Sequence, residues 1–224
     1  MKGRALAALA VLALLAGCGS FGSGGEEGTA TLWVTRDSGV TLLLETEVGA
    51  GQTLMRALDS KVELETRYGG RYIQSINGVG GSLDAQRDWF WFVNGYEGDR
   101  SAASYRLRDG DVAWVDYRGW ERVGEARVVV GAFPEPFLHG YAGETRPAVV
   151  RFEGSRDRAT RLARRIGADS IEPLGTPVPK GANVLELRSG APAASAELLG
   201  QTAGAPVRVV IRGDADVTRR FAAP

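Results

Sequence analysis

Few residues of this chain have the types and spacing that catalysis needs, and each can be weighed against the geometry it would require. His139 is the sole histidine, so a zinc centre built on several histidines is excluded. A serine hydrolase would need that histidine between a carboxylate and a nucleophile. His139 falls in an irregular stretch close to Pro134 and Pro136, and neither Gly22-Ser23-Gly24 nor Gly154-Ser155 has the flanks of a nucleophile elbow. Glu45 and Glu47 share one face of an extended segment and could be drawn as an acid and base pair, but an exposed strand face explains them more simply. Asp109-Gly110-Asp111 offers two carboxylates without the further oxygen ligands of a calcium loop, and reads as a turn. Gly78-Val79-Gly80-Gly81 lacks the Lys-Ser/Thr that completes a phosphate loop. These patterns predict no catalytic residue, no metal site and no cofactor.

The remaining candidates point to binding. Trp89-Phe90-Trp91-Phe92 in a strand puts the two Trp on one face and the two Phe on the other, because side chains alternate. One pair can pack under a helix. The other is either covered by the second half of the chain, through a connector at 133–137, or left open. If open, Trp89, Trp91, Tyr96 and Tyr117 form a platform for a flat ligand or a protein partner. Asn94-Gly95 directly after this strand is a tight-turn signal. Arg156, Arg158, Arg161, Arg164 and Arg165 cluster on a predicted helix. A solvated face is the ordinary reading, and contact with anionic lipid or cell-wall polymer the sharper one.

Cys18 is the single cysteine. Lys2 and Arg4 precede an unbroken apolar run over residues 5–16, and Leu15-Ala16-Gly17 leads directly into the cysteine. The run is too short to span a bilayer, which takes about 20 residues. The arrangement resembles a bacterial lipoprotein signal, in which residues 1–17 are removed and Cys18 is acylated. The expected location is therefore the extracytoplasmic face of the cell membrane, with the lipid as anchor. Residues 19–28 are Gly- and Ser-rich and would act as a tether reaching about 17 Å on average. No second thiol exists to form a disulfide, so packing alone must stabilise the fold. With 27 basic and 27 acidic residues, the near-neutral balance argues against nucleic acid as a partner.

The elements that must hold these residues follow from periodicity and turn signals. Residues 29–36 and 40–48 read as a hairpin around Asp37-Ser38-Gly39, and residues 52–64 as a short amphipathic helix. Brief strands are expected at 72–76, 88–93 and 112–117. Here the motifs carry a resemblance. Gly69-Gly70-Arg71-Tyr72-Ile73-Gln74-Ser75-Ile76-Asn77-Gly78-Val79, then Trp89-Phe90-Trp91-Phe92-Val93-Asn94-Gly95, then Tyr105-Arg106-Leu107-Arg108-Asp109-Gly110-Asp111-Val112 resemble the transcobalamin-like C-terminal domain over residues 29–118. This is a β-grasp-like family of unknown function in bacteria, related to the C-terminal domains of transcobalamin and intrinsic factor, which help enclose cobalamin.

Beyond it, residues 119–146 read as a strand at 126–130 and a Pro-rich connector, and 147–213 as a small α/β unit. That unit has strands at 149–153, 184–188 and 207–212 and helices at 156–166 and 193–199, with 214–224 as a tail. The expected fold class is α+β: a β-grasp-like mixed sheet with one packed helix, followed by the small α/β unit. The Cys18 signal and the lack of catalytic groups predict a non-enzymatic, lipid-anchored binding protein, and the resemblance implies that it captures a corrinoid-like or other small cofactor, handed to a membrane transporter. The alternative is a cell-envelope module for protein–protein interaction.

Overall fold

The computed structural model describes residues 27–120, 127–129 and 131–217. Among these residues are thirteen strands and two helices. The first group is β1 (Thr29–Arg36), β2 (Thr41–Gly49), α1 (Leu54–Asp59), β3 (Leu64–Arg67), β4 (Tyr72–Ile76), β5 (Val79–Gly80), β6 (Arg87–Val93), β7 (Tyr96–Glu97) and β8 (Val112–Gly119). The second is β9 (Ala148–Phe152), α2 (Arg156–Ile166), β10 (Ser170–Pro173), β11 (Asn183–Arg188), β12 (Ala193–Leu198) and β13 (Val207–Arg212). They form three sheets, in the orders β2-β1-β8-β6-β7, β10-β9-β11-β13-β12 and β3-β4-β5.

This overturns the expected α+β class and the α/β reading of the second half. Among the described residues the protein is mainly β, with 42% of them in strands and 9% in helix. Two segments account for most of the difference. The helix expected at 52–64 stops at Asp59, where Ser60 caps it with its backbone N–H on the Arg56 and Leu58 carbonyls, and Leu64 instead begins β3. Residues 193–198, rich in alanine, alternate exposed and half-buried and pair antiparallel with β13. Alanine favours helix intrinsically, but a neighbouring strand with a buried face overrides that preference. Arg156–Ile166 is helical as its spacing implies, with Ser155 as N-cap and Gly167 in the left-handed conformation as C-cap. The strand expected at 126–130 lies partly outside the described residues, and within them Val128 makes a bridge to Tyr96.

In the first sheet β1 is an interior strand, antiparallel to β2 and parallel to β8, which is central. The registers Trp33↔Trp114 and Phe92↔Trp114 put Trp33, Trp114 and Phe92 on one face, where Val129 and Ala132 of the connector cover them. The opposite face carries Leu32, Val34, Val115, Trp89 and Val93, and packs with Leu54 and Leu58 of α1. That second core continues through Tyr96 and Tyr141 to Val150, Leu185 and Val209 of the second sheet. Backbone acceptors join the halves as well: Tyr96 Oη donates to the Ala205 carbonyl at 3.2 Å and Arg146 Nε to the Gly204 carbonyl at 2.6 Å.

One ionic group is fully enclosed. Asp116 accepts hydrogen bonds from Thr35 Oγ1, from the Ser38 and Gly39 amides at 3.1 and 3.2 Å, and from Arg118 Nε at 2.6 Å. It thereby ties the β1–β2 turn to β8, while Arg118 lies 4.5 Å over the Phe92 ring. Asp116→Ala leaves the Arg118 charge without its carboxylate, and is expected to cost at least about 3 kcal/mol of stability in urea unfolding. Asp37→Ala, which removes an exposed pair with Arg87, is expected to cost less than about 1 kcal/mol.

Candidate functional site

The four aromatic residues proposed as a platform do not form one. Trp89, Tyr96 and Tyr117 are 5%, 1% and 7% exposed, and Trp91 is half-buried. Burial follows from the strand register, which turns Trp89 and Trp91 toward α1 and β4, and from the continuous core that encloses Tyr96. Tyr96 belongs to the seam between the halves, with its ring 5.7 Å from that of Tyr141. Trp91 packs 5.5 Å from Tyr105, over Gly98, where a Cβ would collide with the indole.

Trp89 and Tyr117 nevertheless position a site. Trp89 Nε1 donates to the Val79 carbonyl at 2.7 Å and Tyr117 Oη to the Gly80 carbonyl at 3.1 Å. Together these two buried side chains hold β5 against the first sheet. On the other side of β5 lies a groove of about 630 Å³, the size range of small-molecule sites. Gly78, Gly80 and Gly81 supply backbone with no side chain in the way, and Tyr68, Tyr72, Leu83 and Trp120 supply apolar surface. Tyr68 is 78% exposed, Leu83 80% and Tyr72 40%. Exposed apolar groups of this size gathered round one concavity are what a ligand surface looks like.

The polar members are fixed in place. Tyr72 Oη donates to Asp88 Oδ2, and Gly81 leaves room for that carboxylate, since a Cβ there would sit 2.7 Å from Asp88 Oδ1. Ser75 Oγ donates to Glu65 Oε2 at 2.8 Å. Tyr68 sits at the turn between β3 and β4 with φ 53°, in the left-handed region that bulky residues avoid. Its ring meets Tyr72 edge-on at 6.0 Å. Backbone strain of this kind concentrates at ligand clamps and switch regions. A smaller cleft of about 230 Å³, lined by Trp89, Trp91, Ile73, Met55 and Arg100, lies on the far side of Tyr72.

Sequence reasoning missed Tyr68, Leu83, Asp88 and Trp120. The available signal was a tyrosine placed directly before Gly69-Gly70 at a hairpin tip, where it has nothing to pack beneath.

The other chemical candidates have structural roles. His139 Nδ1 lies 2.7 Å from Glu135 Oε1, and the His139 amide donates to Glu135 Oε2 at 3.0 Å. Glu135 is buried, which pushes its carboxyl above the ordinary range, while His139 opposes the shift. Asp111 is likewise raised by burial and partly offset by the Arg108 amide and Asn94. Glu45 and Glu47 are exposed on β2. Among the described residues no cluster of three His, Cys, Asp or Glu side chains could hold a metal. Cys18 lies outside the described residues, and no helix among them is long and apolar enough to cross a membrane.

Residues 51–119 match a domain of unknown function, DUF4430. The match spans α1 through β8 and so includes every residue lining the groove except Trp120. Among solved structures, the chain is similar to a protein of Ruminococcus gnavus ATCC 29149 described as a candidate metal binding protein. Identity is 20% and the TM-score 0.36, over 42% of this chain and 98% of that one. It is also similar to haptocorrin in complex with Cbi, at 18% identity and a TM-score of 0.34, over 42% of this chain and 26% of haptocorrin. No curated protein matches the chain.

Burial first, and then the Asp88 carboxylate, push the Tyr72 phenol up to about 12. The neutral phenol's bond to Asp88 is thus present below the ordinary tyrosine range near pH 10, and is lost as pH rises through about 12. Asp88→Asn removes the carboxylate's charge and leaves the burial. Followed by the Tyr72 ¹³Cζ resonance, the midpoint is expected to move below about 12 while staying above 10.

Proposed function

We propose that the protein is a non-catalytic binding protein, held at the outer face of the membrane through an acylated Cys18, that takes a small ligand in the groove between β5 and the loop carrying Leu83. The observation that carries this reading is the groove itself: about 630 Å³, walled by tyrosines that the fold leaves exposed at 78% and 40%, and floored by glycine backbone. Tyr68 and Tyr72 offer ring surface to a flat apolar face. Asp88, Glu65 and Gln74 offer hydrogen bonding to a polar rim.

The ligand that the sequence motifs favour is a cobalamin-like or other flat cofactor, passed to a membrane importer near the anchor. Fluorescence suits the test because Trp120 lines the groove. Titration with cobalamin and related vitamins is expected to change tryptophan emission saturably after correction for inner-filter absorption. Tyr68→Ala and Tyr72→Ala are each expected to weaken binding about tenfold, the worth of one buried aromatic contact. Absence of any saturable change with the unmodified protein would rule out this ligand class. Replacing Cys18 by Ser is expected to move the protein from the membrane fraction to the soluble fraction with groove binding unchanged.

A further inference from the structure

Strand β2 is an edge of the first sheet. It is nine residues long, Thr41–Gly49, and contains neither proline nor lysine, the residues that ordinarily protect an edge. The other edges are shorter. β7 has two residues, β10 has four and ends in Pro173, and β12 has six, with Glu197 paired to Arg208.

The register of β2 against β1 decides what its open side presents. Leu42 stands opposite Thr35, Glu45 opposite Trp33 and Glu47 opposite Thr31, with a bulge that skips Leu43. Residues directly opposite each other share a face, so Leu42, Glu45 and Glu47 project together. Leu44 and Val48 turn the other way, into the core. Leu42 and Leu43 are 49% and 43% exposed.

This face opens on a cleft of about 570 Å³ between β1–β2 and the connector, with Phe133, Pro134, Glu135 and Arg165 on its far wall. Glu45 and Glu47 on the near wall face Arg165 on the far one, while Glu135 is buried against His139. Its far wall already holds one planar cation, the Arg165 guanidinium 5.3 Å over the Phe133 ring.

We propose that β2 is a docking edge for an extended segment of a protein partner. The segment adds as an outer strand and carries basic residues at alternate positions, followed by an apolar one. Backbone hydrogen bonds along the open edge supply affinity and alternate side chains supply selectivity. In the antiparallel sense the two basic side chains meet Glu47 and then Glu45, and the apolar one covers Leu42. This surface is separate from the groove at β5, so the two can be occupied independently.

The test uses the purified full chain and two blocked octapeptides: a basic probe with Lys at positions 2 and 4 and Val at 6 and 8, all other positions Thr, and an acidic probe with Glu in place of each Lys. Hydrogen exchange is expected to slow at the β2 amides on adding the basic peptide, and not on adding the acidic one. In the double variant Glu45→Lys with Glu47→Lys the preference is expected to reverse, each peptide's affinity changing by about tenfold for two cross-strand charge pairs. Glu47→Lys alone, at an exposed position, carries the same reversal at smaller size, and its urea unfolding curve checks that the fold is intact. Equal protection by both peptides, no protection of β2 at millimolar basic peptide, or an unaltered preference in the variants would each overturn the proposal.

Discussion

The buried amide of Asn94 is the knot from which the rest of the molecule can be traced. Its Nδ2 donates to Asp111 Oδ1 and to the Gly140 carbonyl, both at 2.7 Å, and its Oδ1 accepts the Val112 amide at 2.8 Å. Asp111 in turn accepts the Arg108 amide at 2.9 Å and the Tyr105 hydroxyl at 3.4 Å. One side chain thereby joins the end of β6, the start of β8 and the connector into the second sheet. Because Asn94 and Asp111 are 0% and 1% exposed, each bond lost would leave a polar group enclosed without water, so the arrangement tolerates few alternatives. Tyr105 extends it by ring contact to Tyr141, which donates to Asp99 Oδ1 at 2.6 Å and also packs on Tyr96. The seam between the two large sheets grows from that aromatic chain.

The Asn94-Gly95 turn was legible in the sequence because its reason is local: both residues adopt positive φ, 50° and 81°. That the same asparagine binds a carbonyl 46 positions away was not legible, since nothing local encodes it. The fold class failed for a related reason. Helical spacing in 156–166 reflects a face buried at Ala159, Ala163 and Ile166, and the pattern and the packing agree there. In 193–198 the alanines carry a helix preference, and only the presence of β13 makes a strand of them. The aromatic run of β6 was correctly read as two faces, but which face stays open depends on what covers it. The connector covers Phe92 and the core covers Trp89.

Support and surface are thus divided between different aromatics. Trp89 and Tyr117 spend their single polar atoms on the carbonyls of Val79 and Gly80, which fixes a two-residue strand that could not hold its shape alone. Tyr68 and Tyr72, on the neighbouring β3–β4 hairpin, face outward. The division explains why the large, conspicuous residues drew attention in the sequence while the exposed ones sat in an unremarked hairpin. A ligand surface built on a short strand pinned from behind combines a rigid floor with side chains free to adjust, and pre-organisation of the floor lowers the ordering cost of binding.

The interior position of β1 has a mechanical meaning. The strand that begins at Thr29 is flanked on both sides, by β2 and by β8. A pull transmitted from before Thr29 runs along the strand axis, across both ladders, and loads their hydrogen bonds in shear, so that many must yield together. Had Thr29 opened an edge strand, the same pull could have peeled one bond at a time. A pull on this end therefore passes into the interior of a five-stranded sheet, while the groove beyond β5 and the edge of β2 lie off the line of load.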